Sequence, residues 1–453
     1  MSIIKGYLVP HQVSLIKEVG GEDFATLNKT TTQMLQIAEE IKALAPDTII
    51  ILSSHSSTFS DYFQIGDGEL GLGSFKNYGA PQVAFRVFYD KEFVKTLHYE
   101  AASRGFPAGV DGEQRSLEHG IMVPLYYLNF VYSNYKIVRV GLSGLPLIDH
   151  YNLGVLLKDI ASRLHKRVVV LASGDGVHIN QGEENIITPY EKEIGNIINK
   201  GNFGQLLSYE RKTLKKYRQC LHRPLTTLAG CFDRTDVQGE VRSFERPLNI
   251  GLFTASITPL RSDSSRAFGE YYLAKEKLRI ADVKKEEDDF TKLARTAVET
   301  FLKTGKTLKA PDLLSFKVPA RGCFINIKEK GEIRGNIGTI YPKKETLGQE
   351  IIFNALGAAF SDPRFQPIEK EDLPYLEYEV DVLSPLEKVN SEKNLDPKVY
   401  GIAVRSNDRQ AVLLPDLPGI ETVSQQITAA KQKAGIKPLE RAAIFRFTVE
   451  RHH

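Results

Sequence analysis

Three histidines stand where a side chain can do chemistry. His11 follows the apolar, β-branched run Ile3–Val9 across Pro10, and His55 follows Thr48–Leu52 across Ser53-Ser54. His178 follows Arg167–Ala172 across Ser173-Gly174-Asp175-Gly176-Val177. Such runs, closed by turn residues, read as buried strands. Each imidazole therefore falls just past the C-terminal end of a strand, and in open α/β sheets ligands bind in the crevice outside those ends. One such histidine is more often structural or merely surface; three at equivalent positions point to a shared site. Neutral imidazole is a common metal ligand. Two histidines with a third donor, carboxylate or thiolate, hold a divalent metal with open positions.

The elements that must position these rings alternate. Between the first two strand runs, Thr30–Ala45 carries Met34, Leu35, Ala38, Ile41 and Leu44 at helical spacing. Lys136–Leu142 reads as a strand and His150–Leu164 as a helix before the Arg167–Ala172 strand. The pattern predicts an α/β first domain over residues 1–262: a parallel-rich sheet with helices on both faces. His98, His150 and His165 fall within predicted helices and read as structural. His222, near the site, is left open. Cys231, in Leu228-Ala229-Gly230-Cys231-Phe232, reads as core.

A break follows. Arg261-Ser262-Asp263-Ser264-Ser265 is small and polar, and Lys284–Asp289 is a charge run. A linker is expected at 263–287, with Phe268–Leu278 as a connecting helix. Residues 288–453 have another grammar, α+β. A helix carries Phe290, Leu293, Ala294, Ala297, Val298, Phe301 and Leu302 on one face. Cys323–Lys328 and Ile333–Ile340 read as a hairpin around Lys330-Gly331, followed by a helix at Leu347–Phe360. Strand Glu377–Leu383 and a hairpin around Asn407-Asp408 come next. A helix at Val423–Ala434 and one last strand, Ala443–Val449, complete it. The glycines of Arg334-Gly335-Asn336-Ile337-Gly338-Thr339 allow close backbone approach, to a ligand or to a neighbouring element alike.

Four segments resemble, in order, the Memo and LigB-type class III extradiol dioxygenase pattern. They are Leu8-Val9-Pro10-His11, Ser53-Ser54-His55-Ser56, Glu118–Leu125 (EHGIMVPL) and Ser173–His178 (SGDGVH). Gln219–Leu225 (QCLHRPL) is similar to the closing motif. In class III extradiol dioxygenases two His and one Glu hold ferrous iron. The resemblance gives His11 and His55 the two histidine roles, His178 the general base and His119 the substrate or oxygen contact. The family's Glu falls at Gln219 or beside it, so an ionised acceptor is lost there. Cys220 stands where Memo proteins carry a cysteine. A His/His/Cys set suits iron(II), zinc or copper(I) and weakens the case for ordinary catechol cleavage. Cys220 as a small buried hydrophobe is the competing reading, and whether Cys220 or a carboxylate is the third ligand stays open.

Arg321–Ile327 (RGCFINI), Gly335–Thr339 (GNIGT), Ser361–Phe365 (SDPRF), Val382–Pro385 (VLSP) and Leu413-Leu414-Pro415 resemble the AMMECR domain family over about residues 288–450. Family members usually carry a cysteine where this chain has Asn336, so a binding role fits better than covalent catalysis, with Arg334, Asn336 and Thr339 as candidate ligand contacts. A Memo-like domain fused to an AMMECR domain resembles the AmmeMemoRadiSam group, whose name implies association with a radical SAM protein. A radical SAM cluster needs three closely spaced cysteines; here Cys220, Cys231 and Cys323 lie far apart.

Composition narrows the field. The net charge is +3, from 59 basic and 56 acidic residues, which leaves no electrostatic footprint for nucleic acid. No apolar run approaches the ~18 residues of a membrane span. Met1-Ser2-Ile3-Ile4-Lys5 shows no signal-peptide pattern, and three cysteines in 453 residues argue against a disulfide framework. A cytoplasmic protein is expected. The His452-His453 ending is set aside from site reasoning. Two functions stand: a metal-dependent enzyme on a small molecule or modified peptide, or a non-catalytic metal-binding or scaffold protein.

Overall fold

The computed structural model describes residues 2–56, 59–179, 188–417 and 419–453. The chain divides into two compact units, Met1–Leu273 and Ala274–His453.

Among the described residues of the first unit, ten strands make one sheet: β1 (Ile3–Val9), β2 (Thr48–Ser53), β3 (Phe63–Asp67), β4 (Leu70–Phe75), β5 (Ala80–Tyr89), β6 (Ala108–Glu113), β7 (Lys136–Gly141), β8 (Val168–Ser173), β9 (Thr235–Glu245) and β10 (Leu252–Ser262). Their order is β4-β5-β7-β2-β8-β1-β10-β9, with β3 and β6 off β7. The centre β5-β7-β2-β8-β1 is parallel. The edges are not: β10 runs antiparallel to β1 and to β9, and β4 to β5. The sheet is thus mixed, parallel at its centre.

Every residue of β2 and β8 is buried, as expected of strands covered on both faces. Side chains alternate between faces. Leu8, Ile50, Leu52, Val138, Val170 and Ala172 join a core cluster with the helices Lys91–Ser103, Leu147–Arg163, Pro189–Lys200 and His222–Gly230. Tyr7, Val9, Ile49, Ile51, Ile137, Val169 and Leu171 join another with the helices Asn28–Leu44 and His119–Asn129. Truncating Ile50 or Ile51 to Ala would cost about 2–5 kcal/mol. One expectation fails locally: His165 lies beyond helix Leu147–Arg163, in left-handed backbone (φ 53°), as the chain leaves the helix toward β8.

Residues 263–287 contain the helix Phe268–Glu286. In the second unit, β11 (Cys323–Glu329), β12 (Glu332–Thr339), β13 (Leu376–Leu383) and β18 (Val449–His452) form one antiparallel sheet in the order β12-β11-β13-β18. β14 (Glu387–Lys388), β15 (Gly401–Ser406), β16 (Arg409–Leu413) and β17 (Ala443–Phe447) form another, β14-β17-β15-β16. Helices Asp289–Thr304 and Leu347–Phe360 bury their apolar faces in the first sheet's core, and Val423–Lys433 does so in the second's. Lys330 and Gly331 both have positive φ (52° and 81°), the backbone a two-residue hairpin turn of this hand requires. The single last strand expected at Ala443–Val449 is two strands. The ladder breaks at Thr448, β17 pairs with β15, and β18 pairs with β13. An apolar run shows no such sheet change, because both halves alternate alike.

Candidate functional site

β1, β2 and β8 end in register, Val9 opposite Ser173 and Ser53 opposite Ser173. The residues just past those ends therefore emerge together. A cavity of about 390 Å³ lies there, lined by His11, Gln12, His55, His119, Asp175, His178, Arg218, Gln219 and Cys220. All four histidines and the cysteine singled out in the sequence thus share one space.

The imidazoles pack ring to ring. Centroids are 4.7 Å apart for His11 and His55, 4.4 Å for His55 and His119, and 5.2 Å for His11 and His119. Burial, reinforced by neighbouring His55 and His119, holds the pKa of His11 well below 6.5. Burial, then His119, lowers that of His55. His178 is lowered chiefly by burial, with Asp175 opposing. These three rings are neutral at pH 7 and carry a lone pair each.

Which nitrogen of His11 offers that lone pair follows from its neighbours. The Ser173 hydroxyl donates to the Gly120 carbonyl (2.5 Å) and lies 3.0 Å from His11 Nδ1. Its one hydrogen is committed, so the Ser173 oxygen accepts from Nδ1–H. The Nε2 lone pair is left facing the cavity. Cys220 Sγ lies 3.4 Å from that Nε2 and also accepts the Asp175 backbone N–H at 3.2 Å. The loop carrying Cys220 is fixed because both Cys220 N and Leu221 N donate to the Asp175 carbonyl, at 3.2 and 3.1 Å. A Cβ at Gly174 would run into the Leu221 backbone, so only glycine lets the loop lie against the end of β8.

His11, His55 and Cys220 each offer a ligand atom, and these atoms lie within 4.8 Å of one another. Two donors bound at about 2.0–2.3 Å to one tetrahedral ion sit about 3.5 Å apart, close to the separation of Cys220 Sγ from His11 Nε2. Burial, then Asp175, pushes the Cys220 thiol up, whereas a coordinated cation would bind the thiolate outright. The donor set fits a borderline-soft divalent metal.

Sequence reasoning passed over two features. The first is Asp175, buried among these groups. Its carboxylate accepts the His11 backbone N–H (2.9 Å) and Gln12 Nε2 (3.0 Å), and its Oδ2 lies 3.4 Å from His11 Nε2. The cluster therefore keeps a carboxylate beside His11. Gln219, where the family's Glu was expected, accepts the His222 N–H at 2.9 Å. The position of Asp175 between β8 and His178 was the available signal. The second is the ion pair of Arg246 and Glu191, both side chains wholly buried. Glu191 accepts the Val177 N–H at 2.9 Å, and Arg246 donates to the Val177 carbonyl at 2.5 Å. The residue before His178 is gripped on both sides, and His178 itself bridges to Ile250. Nothing local in sequence joins residues 55 positions apart.

The remaining candidates have partners inside the fold. His222 is buried between the Tyr190 hydroxyl (Nδ1, 3.1 Å) and the Leu206 carbonyl (Nε2, 2.9 Å). Cys231 and His150 are buried. In the second unit Arg334 pairs with Glu329 and Asp372, both at 3.4 Å, and caps the Pro367 carbonyl. Asn336 Nδ2 donates to Asn326. Thr339 donates to the buried Glu350 and accepts from Asn354 at 3.0 Å. A Cβ at Gly335 would strike the Ala358 carbonyl, so this glycine admits the helix Leu347–Phe360.

Imidazoles and a thiol gathered at the strand ends of a doubly covered sheet define an α/β protein with a cluster that could hold a metal ion. Residues 5–254 match the family described as the catalytic LigB subunit of aromatic ring-opening dioxygenase, and residues 291–452 match AMMECR1. A Clostridium acetobutylicum protein is 31% identical over 468 residues, covering 100% of this chain and 99% of its own length. A Thermotoga maritima protein is 39% identical over 170 residues, 37% of this chain and 98% of that one. Among solved structures, one from Pyrococcus horikoshii (28% identity, TM-score 0.33) covers 36% of this chain and 88% of its own. One from Escherichia coli (15% identity, TM-score 0.38) covers 56% and 99%. The chain belongs to the LigB family, with an AMMECR1 domain fused behind the LigB domain, and is related through it to the extradiol dioxygenase superfamily. No helix among the described residues is long and apolar enough to cross a membrane.

Proposed function

We propose that the first unit is a metal-dependent enzyme acting on a small molecule or modified peptide. His11, His55 and Cys220 would hold one divalent ion, iron(II) ahead of zinc or copper. The observation that carries this reading is the His11 Nε2 lone pair, turned by Ser173 into a cavity it shares with His55 and a thiol 3.4 Å away. The ion would supply Lewis acidity or redox capacity. The chain's own residues would do the rest. His178, held by its backbone at the same cavity, would take a proton from the substrate. His119, at the first turn of its helix, would contact the substrate beside His55. Ser173 and Asp175 would keep His11 in its orientation.

A second reading, a metal-binding scaffold without turnover, is favoured by one observation: Gln219 spends its side-chain oxygen on the His222 N–H, so no carboxylate comes from that loop. A radical SAM partner belongs to the first reading as a proposal. Cys231 and Cys323 are core residues of different units, so cluster chemistry would come from another polypeptide. Co-purification with such a protein without oxygen tests that point.

The main test is metal analysis of protein purified anaerobically. About one ion per chain is expected, lost in His55→Ala and in the His11→Ala/His55→Ala double variant. Near-stoichiometric metal in the double variant would sink the site. His178→Ala should keep the metal and lose turnover; metal lost with His178 would make it a ligand instead.

A further inference from the structure

Arg218 belongs to the same cavity wall as the imidazoles, yet no hydrogen bond or ion pair of its guanidinium occurs among the described residues. Other arginines of this unit are engaged within the fold, Arg242 and Arg246 by the carboxylates of Glu40 and Glu191, and Arg139 by the Ser56 hydroxyl and the Ser116 carbonyl. Arg218 is exposed, so it stands at the cavity mouth. Its backbone is in the left-handed region (φ 47°), just after the helix Arg211–Lys216. Glycine or asparagine is the ordinary occupant of such a position. The backbone is also fixed from the far side, because Cys220, two residues on, is tied to Asp175. The approach is cationic as well: residues 211–218 contain Arg211, Lys212, Lys215, Lys216 and Arg218 and no acidic residue.

We infer that Arg218 is the anion-recognition residue of this cavity, and that the substrate carries a carboxylate or phosphate group away from its reacting end. A planar fork of N–H donors matches either oxyanion bidentately, and the lysines before it raise the local concentration of anions without contacting them. The inference deepens the reading above and rests on it for the location of the reacting centre. It limits the substrate to a molecule small enough for about 390 Å³, with its charged end at the mouth and its reacting end among the histidines.

Calorimetric titration of the full chain with benzoate, phenyl phosphate and neutral benzamide tests it, first on chelator-treated protein and then on metal-loaded protein. At low salt the wild type should bind one of the two anions at least tenfold more tightly than benzamide, and the tighter anion tells carboxylate from phosphate. Arg218→Gln should erase that preference, Arg218→Lys should keep part of it, and all three proteins should carry the same metal content. Lys215→Gln/Lys216→Gln should weaken anion binding only at low salt, since exposed charges are screened. No anion preference in the wild type overturns the assignment. So does an unchanged preference in Arg218→Gln, or the whole loss appearing in the lysine double variant. Loss of metal in Arg218→Gln would overturn it in favour of a role at the metal site. Because the first titration contains no metal, failure of the metal reading leaves this result standing by itself.

Discussion

Cys220 in the first unit and Cys323 in the second invite comparison. Burial raises both thiols, that of Cys323 to about 12. Both sulfurs accept an N–H, from the Asp175 backbone and from Asn354 Nδ2 respectively. The surroundings then diverge. Around Cys323, polar groups are turned on one another: Thr339 donates to Glu350, whose other oxygen accepts the amides of Lys343 and Lys344 at 2.8 Å. Around Cys220, the His11 lone pair and the sulfur are turned toward a cavity. A polar cluster whose groups face one another, here all but the Asn354 Oδ1, specifies a fold; one whose lone pairs converge on open space can take a ligand.

The comparison breaks first on metal. Cys220→Ser should lower metal retention at least about tenfold, the scale on which ligand-sphere changes act, while Cys323→Ser leaves it unchanged; elemental analysis after gel filtration measures both. Equal retention in the two variants would remove the distinction between the clusters. The next largest effect concerns the ion pairs. Glu191→Gln leaves Arg246 charged and unpaired in the core, and should cost about 3–5 kcal/mol in denaturant unfolding. Arg364→Ala in the second unit leaves the buried Asp362 carboxylate with the backbone N–H donors of Asn336 and of position 364, and should cost less, about 1–3 kcal/mol. Similar losses would mean that the Arg246 pair is not as dry as its geometry.

A smaller contrast lies in acid. Burial lowers the His150 pKa from 6.5 to about 3. The unfolded chain therefore takes up that proton first, and first-unit stability falls as pH drops below 6.5, by about 1.4 kcal/mol per pH unit. The Arg364 guanidinium holds the Asp362 carboxyl at about 2, from 3.8. That contribution is present above pH 3.8 and lost only as pH falls from there toward 2. Hydrogen exchange read by mass spectrometry between pH 7 and 4 should show helix Leu147–Arg163 losing protection while helix Leu347–Phe360 keeps its own. His150→Gln should lessen the first slope, the remainder coming from buried His222, whose pKa burial lowers to about 4. Simultaneous loss in both helices would contradict the assignment.

Much of this was legible in sequence for a physical reason. Buried parallel strands read as unbroken apolar runs, so Ile3–Val9, Thr48–Leu52 and Arg167–Ala172 announce themselves, and the histidines past their ends come with them. The helix Leu347–Phe360 was legible as an apolar run, and the structure adds the Thr346 capping box that starts it. What stayed hidden was carried by long-range pairing. The antiparallel β9–β10 hairpin has mixed burial along β9 and no clean alternation. The Asp175 carboxylate acquires meaning only when β1 brings His11 beside it. The Glu191–Arg246 grip on Val177 joins three stretches that share no local pattern.

The placement of β1 carries a consequence for how the molecule comes into being. This strand lies between β8 and β10, with Gly6 opposite Val170 on one side and Ile257 on the other. Ile3–Val9 meets β8 first and β10 only later in the chain, and contacts this distant in sequence form slowly. His11 rides on that strand, and Cys220 emerges only after β8. His11, His55 and Cys220 all precede β9 and β10, so a cation at the strand ends would be held once β1 has joined β8, before the β9–β10 hairpin completes that side of the sheet.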